Sequence, residues 1–286
     1  MDLLVIPYPV IDPVALQIGP VSIRWYGLAY MAGILLGWLY GRYLVSRPEL
    51  WGGKPAMTVP QADVFLLWIT LGIVLGGRLG FVLFYEPSYF WANPSEIPAV
   101  WNGGMSFHGG LLGVVIAVYL FATRNRINPL SLGDVASAAT PFGLFFGRIA
   151  NFINAEVVGR VTDVPWAMVF PGAGDLPRHP SQLYEGALEG IVLFTILAIA
   201  TWRYKALTRP GTIFGLFLIF YGLFRSLVEF VREPHLGHPL DIGILTPGIV
   251  YSIPMILLGA WLIWRARTKP LFASFANDVE RQDKPA

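Results

Sequence analysis

Seven apolar stretches, each long enough to cross a lipid bilayer, dominate this chain. We place them at approximately 22–46, 62–85, 104–123, 132–153, 182–202, 211–232 and 245–265. A helix needs about 20 apolar residues to span the hydrocarbon core. Because backbone N–H and C=O groups find no water there, spans of this length must be helical. The sequence therefore predicts an all-α, polytopic membrane protein with seven transmembrane helices.

The composition supports this class and leaves little sequence for a soluble domain. Charged residues make up 13% of the 286 residues, against about 25% in soluble domains. The fourth stretch is the least apolar, since it contains Asp134, Pro141 and Arg148. We predict one integral membrane domain over residues 1–269, with a small periplasmic arm at 154–181 and a cytoplasmic tail at 270–286.

Basic residues mark the cytoplasmic side of such proteins. They follow the odd-numbered spans and the last one, at Arg47, Lys54, Arg124, Arg126, Arg203, Lys205, Arg209, Arg265, Arg267 and Lys269. The connection at 86–103 contains no Lys or Arg. We therefore predict that the N-terminus faces outward and the C-terminus faces the cytoplasm.

The chain has no cysteine, which excludes disulfides, thiolate metal sites and a cysteine nucleophile. Four histidines without cysteine do not favour a zinc site, so we expect neither a metal nor a cofactor. The net charge of +2 gives no reason to expect a nucleic-acid partner.

Glycines four residues apart indicate closely packed helices. They occur as Gly33, Gly37 and Gly41, then Gly143 and Gly147, Gly186 and Gly190, and Gly211 and Gly215. Ser131 and Asp134 fit a capping box at the inner end of the fourth span.

The end of the fourth span carries polar groups where hydrocarbon is expected. Arg148, Asn151, Asn154 and Glu156 fall within residues 147–159. A charge at the bilayer centre costs about 2.5–3.5 kcal/mol on insertion scales, so such residues face a polar cavity or pair with one another. This segment is the first place to look for a site.

The sixth span repeats the pattern. Tyr221, Arg225 and Glu229 follow one another at intervals of four and share a helix face, and Arg232 comes three residues later. An Arg–Glu pair that neutralises itself would explain Arg225 and Glu229 alone. It would not explain why Arg148 and Glu156 repeat the pattern.

Two further residues have both a structural and a functional interpretation. His108 lies between Gly103–Gly104 and Gly109–Gly110, where glycine would let backbone approach a ligand, although a lone histidine is often structural. Tyr26 lies beside Trp25 at the outer end of the first span, where aromatic residues also form the interfacial belt.

Two arginines at membrane depth suit an anionic group that itself lies in the membrane. A guanidinium stays charged and binds phosphate bidentately, which makes a phospholipid headgroup the simplest ligand. A histidine nearby could move a proton near neutral pH. A lipid transporter, an intramembrane protease and a structural scaffold remain alternatives, although the chain shows neither an internal repeat nor paired intramembrane aspartates.

Several blocks together resemble the bacterial phosphatidylglycerol–prolipoprotein diacylglyceryl transferases from about residue 5 to residue 265. The most specific is Gly147-Arg-x-x-Asn-Phe-Ile-Asn-x-Glu-x-x-Gly159. The others are Arg24-Trp-Tyr-Gly27, Phe107-His-Gly-Gly110, His179-Pro-Ser-Gln-Leu-Tyr-Glu185 and Tyr221-Gly-Leu-Phe-Arg-x-x-x-Glu229.

The resemblance implies transfer of a diacylglyceryl group from phosphatidylglycerol to the lipobox cysteine of a preprolipoprotein, the first step of lipoprotein maturation. It implies an inner-membrane enzyme that releases glycerol phosphate. The lack of cysteine in the chain agrees, because the attacking sulfur belongs to the substrate.

The same resemblance guides the assignment of roles. Arg148 and Arg225 would offset the developing phosphate charge, His108 would take the thiol proton, and Tyr26 would position the headgroup or assist the proton transfer. Asn151, Glu156 and Glu229 would orient the arginines, and Gly159 would permit a tight turn below the arm. The expected substrate-binding set is Arg148, Asn151, Asn154, Glu156, Gly159, Tyr221, Glu229 and Arg232.

Overall fold

A computed structural model describes residues 6–233 and 246–268 of the chain. Two strands, β1 (Val14–Ile18) and β2 (Val21–Arg24), precede the helices. The helices are α1 (Trp25–Val45), α2 (Val59–Phe84), α3 (Pro87–Ala92), α4 (Phe107–Arg124), α5 (Pro129–Ile153), α6 (Ser181–Glu185), α7 (Leu193–Trp202), α8 (Thr212–Glu229) and α9 (Pro247–Thr268). A π-helical turn at Gly186–Val192 joins α6 to α7.

Within the described ranges, six helices are long and apolar enough to cross a membrane. They are Trp25–Val45, Val59–Phe84, Phe107–Arg124, Ser181–Trp202, Thr212–Glu229 and Pro247–Thr268. This confirms a helical, multi-pass membrane protein. The predicted fourth span forms α5, which has 25 residues but does not belong to these six. Asp134, Pro141 and Arg148 lower its hydropathy, as the sequence indicated.

The purely helical prediction missed a hairpin at the start of the described chain. Strand β1 pairs antiparallel with β2, with Leu16 opposite Ile23. The predicted first span began at residue 22, but helix α1 begins only at Trp25. The turn follows from Gly19, whose φ of +55° lies in the left-handed region that glycine adopts readily.

The chain divides into two compact units, and the first comprises Met1–Gly41 with Asp134–Ala286. Within it, Gly33, Gly37, Gly190 and Gly215 pack closely as predicted, whereas a β-carbon on Gly143 or Gly147 would meet no atom within 4 Å. A β-carbon on Gly33 would lie 2.9 Å from the Cα atom of Gly143, so α1 and α5 approach each other closely at this point. A β-carbon on Gly215 of α8 would lie 2.8 Å from the carbonyl oxygen of Gly259 on α9.

The second unit is Arg42–Gly133, and its core is the α2–α4 pair. Gly80 of α2 faces Gly109 of α4, where an added β-carbon would lie 2.7 Å from the partner's Cα atom. This close approach lets the two apolar helices pack backbone to backbone. At its start, α2 is capped by the side chain of Thr58, which accepts from the amide of Gln61 at 3.3 Å.

Asp134 caps a helix other than the predicted one. Helix α5 already begins at Pro129, so Asp134 lies inside it and cannot form a capping box with Ser131. The fully buried carboxylate instead accepts from the amides of Gly211 and Phe214, both at 2.8 Å. It thereby pairs two of the N–H groups that the first turn of α8 leaves free.

Candidate active site

Arg148 lies near the C-terminal end of α5, and the chain turns sharply just beyond it. The hydroxyl of Tyr8 donates to the carbonyls of Phe152 and Ile153, at 2.6 and 3.0 Å. These bonds satisfy carbonyl groups that the helix end leaves unpaired. The turn itself lies at Ala155 and Val157, whose φ angles are +54° and +58°.

Gly159 was predicted to permit a tight turn, but in the structure it allows chain segments to approach closely. Its amide donates to the carbonyl of His179 at 3.0 Å, and it pairs with Arg232 in an isolated β-bridge. A β-carbon at Gly159 would lie 2.6 Å from both His179 Cβ and the carbonyl oxygen of Val231. Glycine is required there because three chain segments meet.

Two buried carboxylates hold the guanidinium of Arg148. Its Nε atom lies 2.9 Å from Oε2 of Glu185, and its Nη2 atom lies 3.4 Å from Oε2 of Glu189. Glu185 ends α6, and Glu189 lies in the π-helical turn that follows. Such turns are rare in helices and occur frequently at functional sites.

The other two arginines complete the cluster. Arg232 donates from Nη1 to Oε1 of Glu185 at 2.5 Å, and Arg225 forms an ion pair with Glu229 one helical turn further along α8. The expected contact of Glu229 with Arg225 is therefore present. Three arginines and three glutamates balance formally, so the cluster can exist at membrane depth.

Glu185 and Glu189 are more deeply buried than the arginines. Their side chains are fully buried, whereas those of Arg148 and Arg225 keep 19% and 16% of their surface exposed. The accessible surface of these four side chains therefore belongs to the guanidinium groups. Tyr221 interacts electrostatically with both arginines from its position one turn before Arg225.

Asn151, Asn154 and Glu156 form a separate polar group. The amides of Asn151 and Asn154 donate to the carboxylate of Glu156, at 3.4 and 3.2 Å. Asn151 and Glu156 were expected to orient the arginines, but Glu185 and Glu189 contact Arg148 instead. The same four-residue spacing that indicated Arg225 and Glu229 could have found both, since they share one face of a helix.

Tyr26 lies at the start of α1, next to this polar group. Its hydroxyl is 3.4 Å from that of Tyr30, and it also interacts with the side chain of Asn151. The geometry therefore joins the first sequence block to the one at 147–159. Its phenol is half-buried.

Comparison with known proteins decides the family. The family model for prolipoprotein diacylglyceryl transferase matches residues 13–265. This chain belongs to that family. Relatives from Nitrobacter winogradskyi and Phenylobacterium zucineum are 54% and 52% identical over 276 and 293 residues, covering 96% and 98% of this chain and 94% and 100% of theirs. Both are named phosphatidylglycerol–prolipoprotein diacylglyceryl transferase.

A relative from Rhizobium leguminosarum bv. trifolii carries the same name, with 55% identity over 268 residues. That match covers 93% of this chain and 95% of the relative. Agreement over nearly the whole length means that the family assignment concerns nearly all of the chain and not one shared segment.

In this member of the diacylglyceryl transferase family, polar contacts tie the segment at 154–181 to α6 and to the residues that follow α8. Trp166 donates to the hydroxyl of Tyr184 at 2.6 Å, and Nδ1 of His179 lies 3.2 Å from that hydroxyl. Arg178 donates to the carbonyl of Gly159 at 3.1 Å and to Glu233 at 2.7 Å. Burial lowers the pKa of His179 from its ordinary value, which favours the neutral imidazole.

His108, the predicted base of the transferase, belongs to the second unit. It is the second residue of α4, and its side chain is exposed. Three of the blocks that carry the family resemblance meet around Arg148 in the first unit, and the block at 107–110 does not belong to that unit. His235 and His238 lie outside the described residues.

Proposed function

We propose that the chain transfers the diacylglyceryl group of phosphatidylglycerol to the lipobox cysteine of a preprolipoprotein, with Arg148 and Arg225 binding the phosphate. The observation that carries this proposal is the pairing of partly exposed guanidinium groups with carboxylates that are more deeply buried than they are. Such a site attracts an anion and remains neutral overall when empty.

The reaction makes one bond and breaks one. The thiol of the substrate cysteine, with an ordinary pKa of about 8.5, first loses its proton. The thiolate sulfur then attacks the glycerol carbon that carries the phosphate ester. A thioether forms, the carbon–oxygen bond breaks, and the electron pair leaves with glycerol phosphate.

Negative charge grows on the phosphate during this step, and fixed donors stabilise it most effectively in a water-poor site. Glu185 holds Arg148 and Arg232 at the same time, so their guanidinium groups need little reorganisation. Glu229 holds Arg225 in the same manner. The ion pairs therefore prepare the arginines for the phosphate before the lipid arrives.

The remaining site residues receive supporting roles in this proposal. His108 takes the thiol proton, and Tyr26 positions the headgroup together with Asn151 and Asn154. Glu156 holds those two amides in place, as its hydrogen bonds support. Tyr221 borders the two phosphate-binding arginines, and Gly159 lets the arm approach the end of α8 closely enough to place Arg232.

The topology that we propose has seven spans, with α5 as the span of lowest hydropathy. Its 25 residues correspond to about 37 Å at 1.5 Å per residue, and its charged side chains pair within the protein. Residues 1–269 form one membrane domain with the periplasmic arm at 154–181. The N-terminus faces the periplasm and the C-terminus the cytoplasm, although the tail at 270–286 lies outside the described residues.

Reconstitution tests the proposed activity directly. The purified protein in phosphatidylglycerol vesicles should add one diacylglyceryl group to a lipobox peptide and release one glycerol phosphate, measured by mass spectrometry. A peptide with Cys→Ser is the matched control and should stay unmodified. Lipid movement between leaflets without a modified peptide would instead identify a transporter and contradict the proposal.

A further inference from the structure

Arg78 of α2 is a buried cation that is held by backbone carbonyls. Its side chain is 5% exposed, and no acidic side chain among residues 6–233 and 246–268 forms a salt bridge with it. Its Nε atom donates to Ile97 O at 2.8 Å and its Nη2 atom to Glu96 O at 2.8 Å. Its Nη1 atom donates to Gly103 O at 2.6 Å and to Gly104 O at 3.2 Å.

These bonds fix the whole connection between α2 and α4. The guanidinium also stacks over the ring of Phe90 in α3, 4.9 Å from its centroid. Gly103 and Gly104 have φ angles of +82° and +78°, so the bend needs glycine at both positions. A buried charge requires compensation, and here four carbonyl dipoles provide it.

The bend leads directly to His108. Ser106 donates its amide to the carbonyl of Gly77, the residue before Arg78, at 2.9 Å. Its hydroxyl caps α4 by accepting from the amide of Gly109 at 3.2 Å. One turn of α2 therefore holds the chain at Gly103, Gly104 and Ser106, and His108 follows two residues later.

His108 is the second residue of α4, so the place from which its side chain extends depends on where the bend at Gly103, Gly104 and Ser106 sets the start of that helix. We propose that Arg78 is a positioning residue for His108, acting through the 96–106 connection. This inference rests on the proposed function, in which His108 takes the thiol proton.

The chemistry of the two basic side chains predicts how substitutions behave. The guanidinium presents five donors in a planar fork, and four carbonyls on two sides of Arg78 use that fork. Lysine carries three donors on one nitrogen and cannot reach all four carbonyls. R78K should therefore fold but leave the connection less firmly held, and R78Q should have a larger effect.

The test is a double-mutant cycle with the full chain in phosphatidylglycerol vesicles and a lipobox peptide. The variants are R78Q, R78K, H108Q and R78Q/H108Q, with R42Q as the control. Arg42 pairs with Asp63 at 3.0 Å in the same unit, and both side chains are more than one-third exposed. R42Q should therefore retain the wild-type kcat.

We expect R78Q to lower kcat roughly 10- to 100-fold with KM for phosphatidylglycerol unchanged, because displacing a catalytic group by about 1 Å costs on that order. Its rate should recover in part at high pH, as that of H108Q should. In the H108Q background, R78Q should change kcat less than about twofold, because two residues that act through one group are not additive.

Independent effects that multiply in the double variant, or a changed KM with normal kcat, would overturn the positioning role. If R78Q fails to fold, the same cycle with R78K decides, since R78K keeps the charge. H108Q at the wild-type rate would instead remove His108 from the proposed function. A slow H108Q beside a normal R78Q would overturn the positioning proposal alone.

Discussion

Oε2 of Glu185 lies 2.9 Å from Nε of Arg148, while the other oxygen of the same carboxylate accepts from Arg232. One fully buried glutamate therefore aligns an arginine from α5 with an arginine beyond the end of α8. Breaking a buried ion pair by removing one partner leaves an uncompensated charge and costs about 3–5 kcal/mol. We therefore expect the stability of the arginine cluster to depend on this carboxylate and, in the proposed function, its readiness for a phosphate as well.

Lysine at position 148 or 225 should not replace arginine. Arg148→Lys and Arg225→Lys retain the charge but lose the bidentate fork, so both should fold and lose most transferase activity. Removing one preorganised donor lowers kcat by about 10²–10³-fold. The measurement is kcat with the lipobox peptide, with thermal unfolding as the folding control. Near-normal turnover by Arg148→Lys would show that a point charge is sufficient there.

The His108→Gln variant tests whether His108 takes the proton of the substrate thiol. The variant should fold and bind phosphatidylglycerol but transfer slowly at neutral pH. Its rate should recover in part as the pH approaches the thiol pKa of about 8.5, because the substrate then ionises unaided. A pH–rate profile measures this. An equal defect at every pH would favour a positioning role, and loss of lipid binding would place His108 in the headgroup site.

Full activity of His108→Gln would make Tyr26, Glu156 or Glu229 the better candidates for the base. The conservative variants Tyr26→Phe and Glu156→Gln then separate the first two, since each keeps the shape of its side chain. A pH-dependent loss in only one of them would identify the proton acceptor.

The proposed topology has a direct test. Reporter fusions after Arg126 and after Lys269 should both give a cytoplasmic signal, because basic connections remain on that side. Lys269 lies outside the described residues, so the second fusion concerns the sequence alone. A fusion after Gly172 in the arm should report the periplasm. A periplasmic signal at Arg126 or Lys269 would reject the topology.

Gly159→Ala should destabilise the protein by about 1–3 kcal/mol, the usual cost of forcing an extra carbon into a packed site. The new methyl group would meet His179 and Val231 at 2.6 Å. Gly143→Ala is the matched control, because a β-carbon there meets no atom within 4 Å. Thermal unfolding in detergent should show a lower Tm only for Gly159→Ala, and equal Tm values would contradict the close-approach role.

Asp134→Ala should lower the Tm by removing the cap at the start of α8, although residue 134 belongs to α5. The substitution removes both acceptors that cap α8, and a lost cap costs about 0.5–2 kcal/mol. Asp134→Asn keeps one carbonyl oxygen and should have a smaller effect. A Tm for Asp134→Ala equal to that of the wild type would show that the cap contributes nothing.

Sequence patterns of short range were sufficient for much of the fold. Among the described residues, each predicted apolar run corresponds to a helical segment within a few residues, and six of these segments are apolar enough to cross a membrane. The glycine spacing indicated close packing correctly at Gly33, Gly37, Gly190 and Gly215. The hairpin before α1 was missed because its two strands, of five and four residues, merge with the apolar run that follows. Hydropathy identifies the apolar run but does not show that β1 and β2 pair within it.

The contacts of the candidate site were likewise predictable only where both residues lie on one helix. The motif pointed to Arg148 and Arg225, and the helical spacing pointed to the Glu229 contact. Glu185 and Glu189 as partners of Arg148 required the packing of α6 and its π-helical turn against α5. Spacing in the sequence shows which residues lie together on one helix. It does not show which neighbouring helix supplies the ion-pair partner of a residue.

The sequence by itself determined the membrane class, the family and the residues that carry charge into the bilayer. These follow from local composition, because the cost of exposing charge or backbone to hydrocarbon is paid within each segment. Only the tertiary structure decided that Asp134 caps α8, that Gly159 allows three segments to meet, and that Glu185 joins two arginines. Each of these depends on groups far apart in the chain, whose proximity arises only when the helices pack.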